Sequence, residues 1–467
     1  MPTKRLGPAL REMGVEYGDV TYLDMLGKPM LILNTYEAAV GLLESRSSNT
    51  SDRPGFVMAE LTDYGWIAGL IGYTQRWRRR RRAFHKTFQL SAMPKHRPVL
   101  LRECYSLLQK LLDTPERFRV LGRHMFGATS MEVIYGLTVT VEDDPYISLA
   151  ENATEVFNEI TVPGRFVVEL LPFLRYLPSW LPGMDFKRVA AKWSEDVRAL
   201  RNVPFDAAID AMTKGERRPS MVSSLLDEAL SNGDSGLEED ATLFKDTAGV
   251  AYIAGADTTT FSLQAFFLAM VQNPDVQRKA QAELDAVVGP DRLPDFSDKA
   301  SLPYVNAVIQ EVKRWHTVTP LGISHRSTAE DEWNGYRIPA GTIIVPNQWA
   351  MSQDPSVYPE PERFIPERFP ATNGKVRSPD SYQFGFGRRI CPGRHFANEA
   401  LYITVASVLH AFNIDPPLDD KGQPMPVEPE FVLDYFLAHP GPFECRITPR
   451  SAGAEALIRS CVQKETK

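Results

Sequence analysis

One cysteine at the end of a glycine-rich turn limits what this chain can fold into more than any other feature. Residues 384–393 read Phe-Gly-Phe-Gly-Arg-Arg-Ile-Cys-Pro-Gly, and Phe396, Ala400, Leu401, Val405, Val408, Leu409 and Phe412 follow at helical spacing. Cys391 therefore stands where a turn opens into a helix. Free backbone N–H groups and the positive end of the helix dipole favour an anion there. A cysteine in that place is expected to have a lowered pKa and to be readily a thiolate. With Phe384 as a flat apolar wall, such a thiolate suits the axial position of a haem iron.

Phe384, Gly387, Arg389, Cys391 and Gly393 match the pattern Phe-x-x-Gly-x-Arg-x-Cys-x-Gly. The stretch resembles the haem-binding loop of the cytochromes P450. The resemblance implies a mainly α fold with a small β-rich region, with haem b between a central helix and the cysteine loop. It also implies a single domain over residues 1–467, with a β-rich edge at 1–50 and a central helix at 243–272. Cys391 is the implied protein ligand to iron, and Phe384, Gly387, Arg389 and Gly393 shape its loop.

Three further motifs follow the family order. Trp77 precedes a run of five arginines, Arg78 to Arg82; it and Arg81 stand at i and i+4, so they share a helix face, and both can donate to a carboxylate. The family carries a similar pair on a haem propionate. The other arginines would give a positive surface to an acidic redox partner. Leu243–Gln272 reads as a long helix stopped by Asn273-Pro274, with Ala254-Gly-Ala-Asp-Thr-Thr-Thr260 at its centre. Asp and Thr are poor choices inside an apolar helix. The segment resembles the oxygen-activation motif, in which Asp257 and Thr258 would deliver protons and Gly255 would leave room for dioxygen. Glu311 and Arg314 lie three apart on the helix 302–316. With Arg368 they resemble the family's buried structural triad. His325 falls where a second propionate ligand is expected.

Around these motifs, residues 18–33 read as a hairpin and 36–44 as a helix. Asn334-Gly335 reads as a turn between strands. Residues 433–436 and 445–448 are expected to pair as a final hairpin, and the tail after Arg450 has no assigned role. Residues 163–183 are apolar, aromatic and broken by prolines. They read either as a lid that touches a membrane interface or as a buried loop between helices. Substrate-pocket walls are expected from residues 55–75, from Phe157, the central helix and 318–323, and from 433–436.

Composition sets outer bounds. The 467 residues are 43% hydrophobic and carry a net charge of −7, so a large core is available and no basic footprint for nucleic acid exists. The four cysteines are far apart, without a Cys-x-x-Cys, which indicates neither a disulfide framework nor a zinc site. No apolar run reaches about 18 residues, so no transmembrane helix is expected. Membrane-bound members of the family carry an anchor before this point. With such an anchor the expected place is the endoplasmic reticulum membrane, on its cytosolic face; peripheral membrane contact is a separate expectation.

The resemblance implies a monooxygenase of fungal, membrane type that acts on a small apolar substrate in secondary metabolism. No dinucleotide fingerprint appears, so electrons are expected from a separate NADPH-cytochrome P450 reductase. A monomer is expected. The alternatives are a haem-thiolate isomerase or peroxygenase and a non-enzymatic haem sensor.

Overall fold

The central helix spans Leu237–Gln272 and is apolar nearly all round, which places it in the interior. It begins six residues before the expected Leu243. The expectation followed apolar periodicity, whereas the first turns are polar; Asp240 there accepts from Arg79 at 2.5 Å. The helix continues without a break through the Asp-Thr-Thr-Thr segment and ends at Asn273, whose side chain donates to Ala269 O at 2.8 Å. Pro274 then opens the next helix at its first turn. The computed structural model describes residues 5–139, 144–162, 164–231, 237–369, 376–433 and 436–463.

Helices Gln75–Phe88, Phe118–Tyr135, Pro145–Thr161, Phe186–Thr213 and Arg394–Ala411 pack around this axis. Close approach is bought with small residues. A Cβ on Gly255 would meet Ser130 Oγ at 3.0 Å, and one on Gly122 would meet Leu263 at 2.9 Å. The missing side chain of Gly255 thus points at the neighbouring helix. It serves helix contact, and Gly255 and Ser130 both line the internal cavity.

The β-rich region holds a four-stranded sheet in the order Val20–Asp24, Pro29–Leu33, Ile343–Pro346, His325–Arg326. The first two strands form the expected hairpin, and Pro29–Leu33 runs parallel to Ile343–Pro346 with Leu31 opposite Ile344. A second hairpin turns at Asn334-Gly335, as the sequence indicates. Among the described residues the expected final hairpin is not formed. Arg446–Pro449 pairs instead with Phe412–Asp415, which sets buried Ile447 against buried Ile414. Phe431–Val432 pairs with His439–Pro440, and Asp434 and Tyr435 lie outside the described residues. The tail forms a helix, Ala452–Gln463, that packs on Met93–Asp113 and buries Ile458.

From Gly164 onward the proline-broken stretch makes only two short turns, Val167–Leu170 and Pro172–Tyr176; Pro163 is outside the described residues. Tyr176 and Trp180 are about four-fifths exposed and Phe173 is more than half exposed. The segment is therefore no buried loop.

Candidate active site

The cysteine loop is built from backbone geometry. Cys391 N–H donates to Phe384 O at 2.7 Å, closing the turn. Gly385 and Gly387 sit at φ +79° and +54°, where other residues are strained. A Cβ on Gly387 would come 2.2 Å from Leu43 O, so only glycine fits between the loop and the N-terminal region. Gly393 caps the helix Arg394–Ala411. The N–H groups of Gly393 and Arg394 donate to the Cys391 sulfur.

Cys391 is partly exposed and lines a cavity of about 380 Å³, of the size that holds small-molecule ligands. The helix start is not the largest influence on the thiol. Burial pushes its pKa up, and the Gly393 N–H and the Arg81 guanidinium pull it down by less. Desolvation outweighs the helix terminus because the sulfur faces an apolar chamber walled by Phe84, Val133, Ile253 and Phe396.

One side of the cavity is cationic. Trp77, Arg81, His325 and Arg389 all line it, as does Arg53. Trp77 and Arg81 share a face of helix Gln75–Phe88, which Thr74 caps by accepting from Trp77 N–H. Arg81 donates to Ile390 O at 2.5 Å, which fixes it beside the cysteine loop. Arg389 lies over the Trp77 ring at 4.3 Å and donates to Ser51 O and Ile71 O. Arg53 donates to the carbonyls of Gly69, Ile323 and Ser324. No described carboxylate lies within ion-pair distance of Arg53, Arg81 or Arg389. Burial lowers the pKa of all three, and at Arg53 the Arg389 charge adds repulsion. His325 Nδ1 lies 2.8 Å from Thr50 O, which can only accept, so Nδ1 carries the proton. Burial and the Arg53 charge hold this imidazole well below its ordinary pKa.

Two buried guanidiniums, Arg53 and Arg389, and the half-buried Arg81 are bonded only to carbonyls, with Asp52 acting on the first two at a distance, and buried charge so weakly compensated is costly. The chamber asks for a ligand with anionic groups at one edge, an apolar body, and an atom that a thiol can bind. An iron porphyrin with carboxylate arms fits that donor set. Sequence reasoning missed Arg53, which stands alone between Asp52 and Pro54 without a motif.

Thr258 lines the same cavity and donates to Ala254 O at 2.8 Å. Thr259 lines it too. Asp257 does not. It is 2% exposed on another face of the helix, with Arg123 Nε 3.2 Å from its Oδ1 but off the line of a hydrogen bond. Burial raises the Asp257 pKa, and Arg123 offsets part of the rise. The two predicted catalytic residues are thus adjacent in sequence but not side by side on the cavity wall.

Glu311, Arg314 and Arg368 form a separate cluster. Arg314 Nε and Nη2 donate to the two Glu311 oxygens at 2.8 and 2.7 Å, and Arg368 Nε donates to Glu311 Oε1 at 3.2 Å. Arg314 also donates to the carbonyls of Ser352, Pro361 and Arg363. None of the three lines the cavity.

A family profile described as cytochrome P450 matches residues 3–444. Cytochrome P450 monooxygenase COX2 of Coprinopsis cinerea is 41% identical over 469 residues, covering 99% of this chain and 89% of the relative. Cytochrome P450 monooxygenase ple1 of Rhodocybe pseudopiperita is 40% identical over 473 residues, covering 100% and 90%. Tryptamine 4-monooxygenase of Psilocybe cyanescens is 38% identical over 458 residues, covering 97% and 90%. With the match extending over nearly its whole length, the chain belongs to the cytochrome P450 family of haem-dependent monooxygenases, which are oxidoreductases.

Proposed function

We propose that this chain inserts one oxygen atom from dioxygen into a small, largely apolar organic substrate. A separate NADPH-cytochrome P450 reductase would supply the electrons. One observation carries the reading: a thiol supported by backbone N–H groups shares an apolar cavity with the Thr258 hydroxyl and with guanidiniums that lack a counter-anion. Haem b, when bound, supplies the dioxygen chemistry, and the protein supplies orientation, electronics and protons. Cys391 would ligate the iron, held by the Gly393 and Arg394 N–H groups. Trp77, Arg81, His325 and Arg389, with Arg53, would hold the carboxylates. Phe384, Gly387 and Gly393 would keep the loop in shape.

Proton supply falls to the central helix. Thr258 donates its hydroxyl hydrogen bond to Ala254 O, and rotation of that hydroxyl would turn its proton toward the cavity. Asp257, with its raised pKa and outward setting, would return protons to the threonine from the Arg123 side. Glu311, Arg314 and Arg368 would be structural.

The cavity draws its walls from Arg53 through Leu437, which supports reading residues 1–467 as one catalytic unit, active as a monomer. Among the described residues no helix is long and apolar enough to cross a membrane. The exposed Phe173, Tyr176 and Trp180 support peripheral contact with the endoplasmic reticulum on its cytosolic face. The relative named for tryptamine supports a small secondary metabolite as substrate.

Thr258→Ala tests the reading. Proton assistance of this kind is worth about 10²–10⁴-fold in rate. The variant should keep its haem, its thiolate spectrum and its substrate affinity. It should still consume NADPH with the reductase while releasing more hydrogen peroxide and less product. Unchanged coupling in both Thr258→Ala and Asp257→Asn would remove the role. Turnover with peroxide alone in the native enzyme, and none with reductase, would make the chain a peroxygenase.

The cationic edge gives a second expectation. A buried charge-assisted contact contributes about 1.5–3 kcal/mol. Arg81→Ala should therefore lose haem on dilution much faster than Arg82→Ala, whose side chain is exposed. Equal losses would mean that the run acts only as bulk charge.

A further inference from the structure

One wall of the cavity joins the loop around Thr319 to the residues that follow strand Ile343–Pro346. Gly322 N–H donates to Thr319 O at 3.1 Å, and Trp349 N–H donates to Pro320 O at 2.9 Å, so the two segments are tied together. Gln348 is 1% exposed and still lines the cavity. Its Oε1 accepts from the Thr319 hydroxyl at 3.1 Å, which turns its Nε2 the other way. Nε2 has no hydrogen-bond partner among the described residues. Unlike the sealed hydroxyls of Thr154 and Thr317, it keeps accessible surface.

Gly322 explains the opening. A Cβ there would come 3.1 Å from Gln348 Nε2, and a φ of +53° favours glycine. With no side chain at 322, the amide is left uncovered. An unpaired amide in an apolar wall is costly, and its two N–H groups need an acceptor. The wall formed by Val318, Gly322, Ile323 and Pro346 carries no charge. An anionic acceptor would be desolvated there without a counter-charge, so a neutral oxygen fits best.

We propose that Gln348 donates to a neutral oxygen of the substrate, so that the substrate class is an apolar molecule that already carries a carbonyl, ether or hydroxyl oxygen. The proposal rests on the monooxygenase reading. Thr319 and the tied segments hold the amide in place before a substrate arrives, which favours affinity.

The test titrates the purified haem protein and follows the Soret band. Two ketones, cyclododecanone and benzophenone, are each compared with the hydrocarbon of the same skeleton, cyclododecane and diphenylmethane. A site built to hydrogen-bond an oxygen rejects the analogue that lacks it. At least one ketone should bind more tightly than its hydrocarbon. Pairing a buried donor corresponds to about tenfold in affinity. Gln348→Met, close in length, should therefore weaken that ketone about tenfold, while hydrocarbon affinity and haem content stay within about twofold of native. Thr319→Val frees the amide to turn and should weaken the ketone by less.

Hydrocarbons that bind as well as both ketones, no response to either ketone, or a preference kept in Gln348→Met would overturn the proposal. Equal losses for ketone and hydrocarbon in Gln348→Met would make Gln348 a packing residue, and that also overturns it. Haem loss in Gln348→Met would assign the amide to the cofactor's own carboxylates, with the same result. If Gln348→Met does not fold, the native ratio and the Thr319→Val titration decide, and an unchanged ratio in Thr319→Val overturns the proposal. A native protein without any thiolate spectrum would overturn the monooxygenase reading itself, which separates the two failures.

Discussion

Cys391→Ala should abolish the red-shifted carbon-monoxide band of the reduced haem protein. Cys391 is the only described cysteine that lines the cavity. Cys104 sits in the core with its thiol toward Ile403 O, and burial pushes it up to about 12. Cys445 is likewise pushed up to about 12. Neither is placed or ionised to replace the lost ligand. Burial also opposes ionisation of Cys391 itself, so its thiolate needs a cation at the sulfur, as metal coordination provides. The expected loss is complete, whatever haem remains bound through the cationic edge. The band should persist in Cys104→Ala, Cys445→Ala and Cys461→Ala. Survival in Cys391→Ala, with loss in one of the others, would overturn the assignment.

Glu311→Ala should yield mostly insoluble or haem-free protein. Glu311 is fully buried, and its Oε1 accepts from Arg314, from Arg368 and from the Ile365 N–H at 2.9 Å. Its removal strands two buried guanidiniums. Breaking a buried pair from one side costs about 3–5 kcal/mol, a large part of the roughly 5–15 kcal/mol that holds a domain folded. Arg314 additionally ties together the carbonyls of Ser352, Pro361 and Arg363, so the damage should spread through the segment that carries Arg368. Soluble yield, the ratio of Soret to protein absorbance and the urea midpoint would report it. A well-folded Glu311→Ala with normal haem content and slow turnover would show instead that the cluster is catalytic.

The sequence disclosed the site wherever a motif lay in one local element. Trp77 and Arg81 share a helix face by spacing alone, and Cys391 closes a turn whose glycines announce it. Glu311 and Arg314 were readable for the same reason, while Arg368 joined them through the family pattern. What was hidden depends on partners distant in the chain. Arg53 reaches the cavity through carbonyls of residues 69, 323 and 324, which no local pattern encodes. Strand Arg446–Pro449 chose Phe412–Asp415 because burying Ile447 and Ile414 together outweighs proximity along the chain. The outward setting of Asp257 followed from Arg123 on another helix. The raised pKa of Cys391 followed from walls contributed by three other helices, and a helix-terminus argument sees none of them.

The parallel pairing of Pro29–Leu33 with Ile343–Pro346 bears on how the protein is made. A hairpin alone is marginal in water, and its apolar edge invites other strands. During synthesis, at about 5–20 residues per second, the N-terminal strands must wait tens of seconds for the segment that covers them. The segment around Leu43 waits as well, since its carbonyl seats against Gly387 of the cysteine loop. Haem loading is therefore a late event, after the C-terminal quarter has emerged, and chaperone protection is needed most by the first strands to leave the ribosome.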